Sequence, residues 1–453
     1  MILLFAFIFS LFICIVKPKY GVFIIFVFAL LLSNALQLRF VEINRSFTTP
    51  FSFIKLTNID IIDKQGVRLL ILVLFLSSIL KKFFAKKRIN ELWLIKIILI
   101  IFFISVSSIL LNKINVRDGF SSISLFIVSL VFLSAVSNLQ FSYRDIQLFL
   151  NFMLVFVLIN TVFQIYQFFN YAFGDVDMTM GLLLSTTPTS TFAFVISFFF
   201  IGKVSVEKFD KSVYVSIFIV IVQLISSYLK GIIAFVIIIL TSFRNLVFRN
   251  RKIVIVAVTS LILIFLISSF LFKDTNEYYD VFNEFSNIST LLNVGPIRIW
   301  TEYIPYLDNP VNLIFGYGPS SYGSINTIDY FGFRRSMLAN IVDNSFANVN
   351  GGRDIFGAVL SSAGNILWEN GIIVLFLFFL VYAKLYKTIS NIIKNTKSEM
   401  IEVYAFVVKY EIIFIALLYF VAFGCTTEEI LLWGPGFVIF SFIKSEFQLE
   451  SSK

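Results

Sequence analysis

Histidine is absent from all 453 residues of this chain. Its absence removes the commonest general base and the commonest metal ligand together, so zinc chemistry and His-based triads have no support, and neither a metal nor another cofactor is expected. Cysteine is almost as scarce: Cys14 and Cys425 both lie in apolar surroundings, which leaves a disulfide framework and thiolate catalysis equally unsupported. Charge is thin as well, at 14% of residues against about 25% in ordinary soluble domains.

The chain is instead rich in apolar residues. Hydrophobic residues make up 58% of it, phenylalanine alone supplies 58 positions, and the mean hydropathy is +0.92. These values describe an integral membrane protein. The net charge of +9 would point to nucleic acid in a soluble protein, but here lysine and arginine fall in short clusters between apolar runs. They act first as topology determinants, so the expected surroundings are membrane lipid and no nucleic-acid partner is expected.

Apolar runs recur at lengths close to the ~20 residues needed to cross a ~30 Å hydrocarbon core. The pattern predicts an all-α polytopic protein of about 13 spans (about 12 to 14), at 2–16, 20–38, 67–80, 92–112, 120–136, 147–170, 183–201, 213–229, 231–243, 253–272, 365–386, 403–424 and 430–443. Residues 39–66 have room for a re-entrant piece. The first run has the core of a signal peptide, but no cleavage site follows and Lys17-Pro18-Lys19 lies on the wrong side, so it reads as a retained span. Ten spans then occupy 1–272, a polar loop 273–364, three more spans 365–443, and a tail 444–453. No repeat period and no transporter-like inverted repeat is visible.

If the spans alternate, the clusters Lys17/Lys19, Lys81-Lys82 with Lys86-Lys87-Arg88, Lys203/Lys208/Lys211, Arg244/Arg249/Arg251-Lys252 and Lys384/Lys387/Lys394/Lys397 share one face. By the positive-inside rule that face is cytoplasmic, with roughly 23 basic to 9 acidic residues, and the other carries roughly 13 to 18. The amino terminus is then external, the carboxyl terminus internal, and the loop 273–364 external.

That outer loop holds most of the candidate chemistry. Arg298, in Pro296-Ile297-Arg298-Ile299-Trp300, sits where Pro296 suits a first helical turn. Its planar fork matches phosphate oxygens, and Trp300 can stack or anchor at the interface; an interfacial helix held by a salt bridge is the plainer reading. Gly316-Tyr317-Gly318-Pro319-Ser320-Ser321-Tyr322-Gly323 is a turn cluster that can aim backbone N–H groups at an anion or simply be a structured loop. It carries no Walker or dinucleotide fingerprint, and its aromatic rings, Tyr317 among them, are suited to stacking on sugars. Arg334, Arg335 and Arg353 are external, where topology does not explain them, and fit a phosphate or acidic sugar as well as a solvated surface. Lys230, in an almost loopless turn between two apolar runs, either snorkels to headgroups or projects a cation at a bound phosphate. Asp308, Asp329, Asp343, Asp354 and Glu369 are the available acid–base groups.

In order along the chain, these features resemble the O-antigen polymerase and ligase family, the Wzy-type polymerases and their relatives. Ser227-Tyr228-Leu229-Lys230-Gly231 is similar to that family's Ser-x-x-Arg-Gly turn, with Lys230 in place of arginine. Pro296-Ile297-Arg298-Ile299-Trp300 is similar to its Arg-x-x-Trp start of the large outer loop, although here Trp300 follows Arg298 after one intervening residue, Ile299. Asn309-Pro310 followed by Phe315-Gly316-Tyr317-Gly318-Pro319 is similar to its Pro-Leu-x-Gly-x-Gly-Pro-Gly stretch. Asn365-Ile366-Leu367-Trp368-Glu369-Asn370-Gly371-Ile372 is similar to its His-Asn entry, with a following Glu-x-Gly, into the next span. The likeness covers mainly residues 210–386. Ala363-Gly364 precede Asn365 where ligases of the family carry histidine, which tilts the resemblance toward polymerase.

The resemblance implies a helical bundle related to membrane glycosyltransferases of the GT-C kind, in a bacterial cytoplasmic (inner) membrane. Its substrate would be an undecaprenyl-diphosphate-linked oligosaccharide, its chemistry metal-independent, and a chain-length regulator a possible partner. It implies catalytic roles for Arg298, Asp343 and Glu369, and substrate binding by Lys230, Arg334, Arg335, Arg353, Tyr317 and Asn365. The alternatives are a ligase-type transferase and, in a different class, a lipid-linked oligosaccharide flippase.

Overall fold

The computed structural model describes residues 2–29, 60–114, 116–171, 186–203, 211–226, 309–319, 362–421 and 429–451. Among them there is no strand. The helices are α1 (Ile2–Val16), α2 (Pro18–Ala29), α3 (Asp60–Phe84), α4 (Leu92–Leu111), α5 (Val116–Ser137), α6 (Tyr143–Tyr171), α7 (Thr186–Lys203), α8 (Lys211–Ser226), the short α9 (Pro310–Phe315), α10 (Ser362–Asn395), α11 (Glu399–Val421) and α12 (Glu429–Ser451).

Four stretches within these are long and apolar enough to cross a membrane: Leu92–Leu111, Tyr143–Tyr166, Ile366–Asn395 and Ile430–Ser451. Shorter apolar helices accompany them, Leu4–Val16 and Phe192–Gly202 included. The architecture suits a polytopic membrane protein. Several helices outrun the expected spans. The run at 67–80 lies inside α3, and α10 and α12 continue past residues 386 and 443 to Asn395 and Ser451. Hydropathy marks only the apolar part of a helix, whereas backbone hydrogen bonding carries it on through polar, helix-compatible residues such as Lys387 and Glu446. The expected spans 231–243 and 253–272, and the possible re-entrant piece through residue 59, lie outside the described residues.

α12 is the hub: it packs against α5, α6, α7, α10 and α11, and 78% of its apolar window is buried. Around it the abundant phenylalanines form a network of edge-on and tilted ring pairs. Phe26 meets Phe132 at 6.1 Å and Phe149 at 5.0 Å, and Phe132 meets Trp433 at 5.4 Å. Each such pair adds about 0.5–1.5 kcal/mol beyond the area it buries. The rim is apolar too: Phe5, Phe9 and Phe12 of α1 are more than half exposed, a surface that water would disfavour and hydrocarbon accepts.

Polar contacts gather at the two ends of the bundle. At one end Lys19 pairs with Asp145 at 3.2 Å, Lys81 Nζ donates to the Val16 carbonyl at 2.6 Å, and Asn90 donates to Asn138 and Ser137. Lys444 pairs with Glu91, Lys384 Nζ lies 3.7 Å over the Trp93 ring, and Glu450 accepts from Thr396 and Lys397. Every one of these connections joins segments that the alternation of basic loops assigns to a single face. The other end carries α9 and the start of α10.

Candidate functional site

The site is built from two helix interruptions that complete each other. Asn309 caps the short α9, its Oδ1 accepting from Val311 N–H at 2.9 Å, and Pro310 takes the first helical position, where its missing N–H costs nothing. Gly316, at φ +73°, ends the helix while its N–H donates to the Asn312 carbonyl at 2.7 Å. α10 breaks at Gly371, where φ is 80° and ψ 176°, a conformation essentially confined to glycine.

A helix break leaves carbonyls of the preceding turn without their i+4 donors. Here the segment after α9 supplies them: Tyr317 N–H donates to the Trp368 carbonyl at 2.8 Å and Gly318 N–H to that of Glu369 at 3.1 Å. The fit is close on both sides. A Cβ at Gly316 would collide with the Glu369 carbonyl, and one at Gly371 with the Ile314 carbonyl. The Tyr317 ring stacks on Trp368 at 4.7 Å and 26°. α4 forms the remaining wall. Asn112 Nδ2 donates to the Gly316 carbonyl at 3.2 Å and to the Ser108 carbonyl at 3.0 Å, and Ser105 Oγ donates to Asn370 Oδ1 at 2.7 Å. Asn370 is fully buried, and its Nδ2 has no hydrogen-bond partner among the described residues. Lys113, exposed at the end of α4, adds a cation next to Asn112.

Of the residues expected in a site, this arrangement brings together Tyr317 and Glu369, with Asn365 in the first turn of α10. Tyr317 is half-buried, and one of its faces is covered by Trp368. Glu369 is completely buried, and its backbone carbonyl accepts the Gly318 N–H. Lys230, Arg298, Arg334, Arg335, Asp343 and Arg353 lie outside the described residues, as do Asp308, Asp329 and Asp354. Sequence reasoning missed Ser105, Asn112, Trp368 and Asn370. A signal for two of them exists: Ser105, Ser108 and Asn112 follow at helical spacing on one face of an otherwise apolar run.

A second polar seam links α6 and α8. Gln223 Nε2 donates to Gln164 Oε1 at 2.5 Å, and Gln164 Nε2 returns a longer bond of 3.4 Å. Thr161 and Asn160 are buried beside them. At 1.5 Å per residue, this seam lies about 25 Å along α6 from the basic end, and Gln223 precedes Lys230 by seven residues in the sequence.

Chemically, the described part of the site offers neutral hydrogen-bonding groups, one buried carboxyl group and a rigid backbone platform. Among the described residues, no three His, Cys, Asp or Glu side chains come together as a metal site. No protein-family model matches the chain, and no curated protein matches it.

Proposed function

We propose that the protein is a polysaccharide polymerase that joins undecaprenyl-diphosphate-linked oligosaccharide repeat units on the outer face of a bacterial cytoplasmic membrane. One observation carries this reading. Two of the four segments on which the family resemblance rests, 309–319 and 365–372, are far apart in sequence yet meet through the Tyr317–Trp368 and Gly318–Glu369 backbone bonds. Segments that resemble one family in order, and that assemble into one platform, support a shared site there.

In the proposed reaction an acceptor sugar hydroxyl attacks the anomeric carbon of the lipid-linked donor. A new glycosidic C–O bond forms, the anomeric C–O bond to the diphosphate breaks, and undecaprenyl diphosphate leaves with the electron pair. Arg298, assisted by Lys230, Arg334, Arg335 and Arg353, neutralises the departing diphosphate, the task a metal ion performs elsewhere. Asp343 accepts the hydroxyl proton. Glu369, buried beside the break in α10, holds the Gly316–Pro319 segment through its backbone carbonyl, and Tyr317 contributes an aromatic surface for a sugar ring. Asn365 lies at the entry to the same helix. A ligase mechanism that depends on histidine has no residue to use, because the chain contains none.

The test is the glycan ladder from cells lacking the gene, complemented with wild type, Arg298→Ala or Lys230→Ala, with membrane levels of each protein matched. Single repeat units in the deletion, restored to long chains by wild type and by neither variant, are expected. Wild-type chain length with both variants would sink the proposal. Full-length chains retained on carrier lipid in the deletion strain would instead favour a ligase, and repeat units trapped on the inner leaflet a flippase.

A further inference from the structure

Glu411 plays no part in the site above, and sequence reasoning passed over it. It lies about 18 Å along α11 from Glu399, inside an apolar stretch, and is 2% exposed. Opposite it α12 carries Gly434-Pro435-Gly436 in mid-helix. Oε1 accepts the Gly436 N–H at 3.1 Å. Oε2 is buried and has no hydrogen-bond partner among the described residues. A Cβ at Gly436 would occupy the place of the carboxyl group itself, so glycine there is what makes room for it. Pro435 has no N–H, which leaves the Leu431 carbonyl without its usual i+4 donor.

Among the described residues, the surroundings supply little that would neutralise a carboxylate. Of the helices packed against α11, α7 has no ionisable side chain between residues 192 and 202, and α12 none between 430 and 443. α10 brings Tyr382, Lys384, Tyr386 and Lys387, but Lys384 Nζ lies over Trp93 and Lys387 is exposed. On α11 itself, Lys409 Nζ lies 4.7 Å over the Tyr386 ring, and Tyr410 stacks on Phe406. An ionised Glu411 would place a full negative charge against a single N–H in an apolar interior, an arrangement that is strongly disfavoured. The acid form removes the charge and makes Oε2 a donor.

The geometry points to Glu411 as a proton-binding site inside the bundle, with the proton on Oε2 and the α11–α12 packing at Gly434-Pro435-Gly436 sealing it from water. Release transfers the proton from Oε2 to water and leaves a carboxylate, so it requires α11 and α12 to part at the proline. Proton occupancy and the packing of these two helices are therefore linked. This inference is independent of the polymerase reading.

Infrared difference spectra of the full chain in lipid nanodiscs, wild type minus Glu411→Gln at pH 8, provide the test. The expected result is loss of a protonated-carboxyl C=O band in the variant, with carboxylate absorption unchanged and the band insensitive to sodium chloride. Loss of carboxylate absorption instead would overturn the assignment, as would disappearance of the wild-type band when sodium is added at constant pH, the signature of a metal-cation site. Thermal unfolding gives a second readout. Glu411→Gln, a neutral isostere of the acid, is expected to melt with wild type, and a variant that fails to fold would contradict a protonated Glu411.

Discussion

At the residue scale, Gly316 and Gly371 are two positions where positive φ and a facing carbonyl together require glycine. Gly371→Ala would force a side chain into a glycine-only conformation and against the Ile314 carbonyl, a strain of order 1–3 kcal/mol. Thermal unfolding in detergent is expected to show that loss, whereas Ala at an exposed helical site such as Lys387 is expected to leave the melt unchanged. A milder case is Asp145, which forms a reciprocal cap with Ser142 at the start of α6 and pairs with Lys19. Partial burial works to raise its carboxyl, but the Ser142 hydrogen bonds and Lys19 prevail and hold it below the ordinary value. A lowered carboxyl contributes stability at pH above its unfolded value, and that contribution is lost as pH falls through the lowered value. The difference in melting temperature between wild type and Asp145→Asn is therefore expected at neutral pH and should vanish on acidification well below about pH 4. A difference that persists in acid would show that the ion pair and cap are not its source.

At the element scale, the docking of α9 on the broken α10 is the feature that organises the site. Truncating Tyr317 to Ala removes its stacking on Trp368 and is expected to cost about 0.5–1.5 kcal/mol, read as earlier proteolysis of the α9 segment in the purified protein. How far these elements were legible in the sequence follows from what each signal encodes. Long apolar runs marked α4, α6 and α10 because lipid selects length and composition. The break in α10 was not readable: Gly371 sits at the head of an apolar run, and nothing local tells a glycine that breaks a helix from one that continues it. Only the partner, Ile314, defines it. The pairing of Gly316-Tyr317-Gly318 with Trp368 and Glu369 was beyond local pattern for the same reason, although both segments had been singled out separately. Glu411 had a visible signal, a lone carboxylate in an apolar run, but its meaning depends on the Gly436 N–H of another helix.

At the scale of the whole molecule, the described lysines Lys19, Lys81, Lys384 and Lys444 make their contacts at one end of the bundle, and the α9–α10 platform lies at the other. Orientation in the membrane is testable directly. In a chain whose native cysteines are replaced, Lys113→Cys is expected to react with a membrane-impermeant maleimide in intact cells, and Lys87→Cys only after permeabilisation; the reverse pattern would invert the topology. The central claim concerns chemistry, and the most direct measurement is reconstitution of the purified chain in liposomes with a polyprenyl-diphosphate-linked repeat unit. The account predicts products at whole multiples of the repeat unit, release of polyprenyl diphosphate in equal amount to the bonds formed, and loss of both in Arg298→Ala. Substrate that is left unelongated, or is merely moved between leaflets, would contradict it.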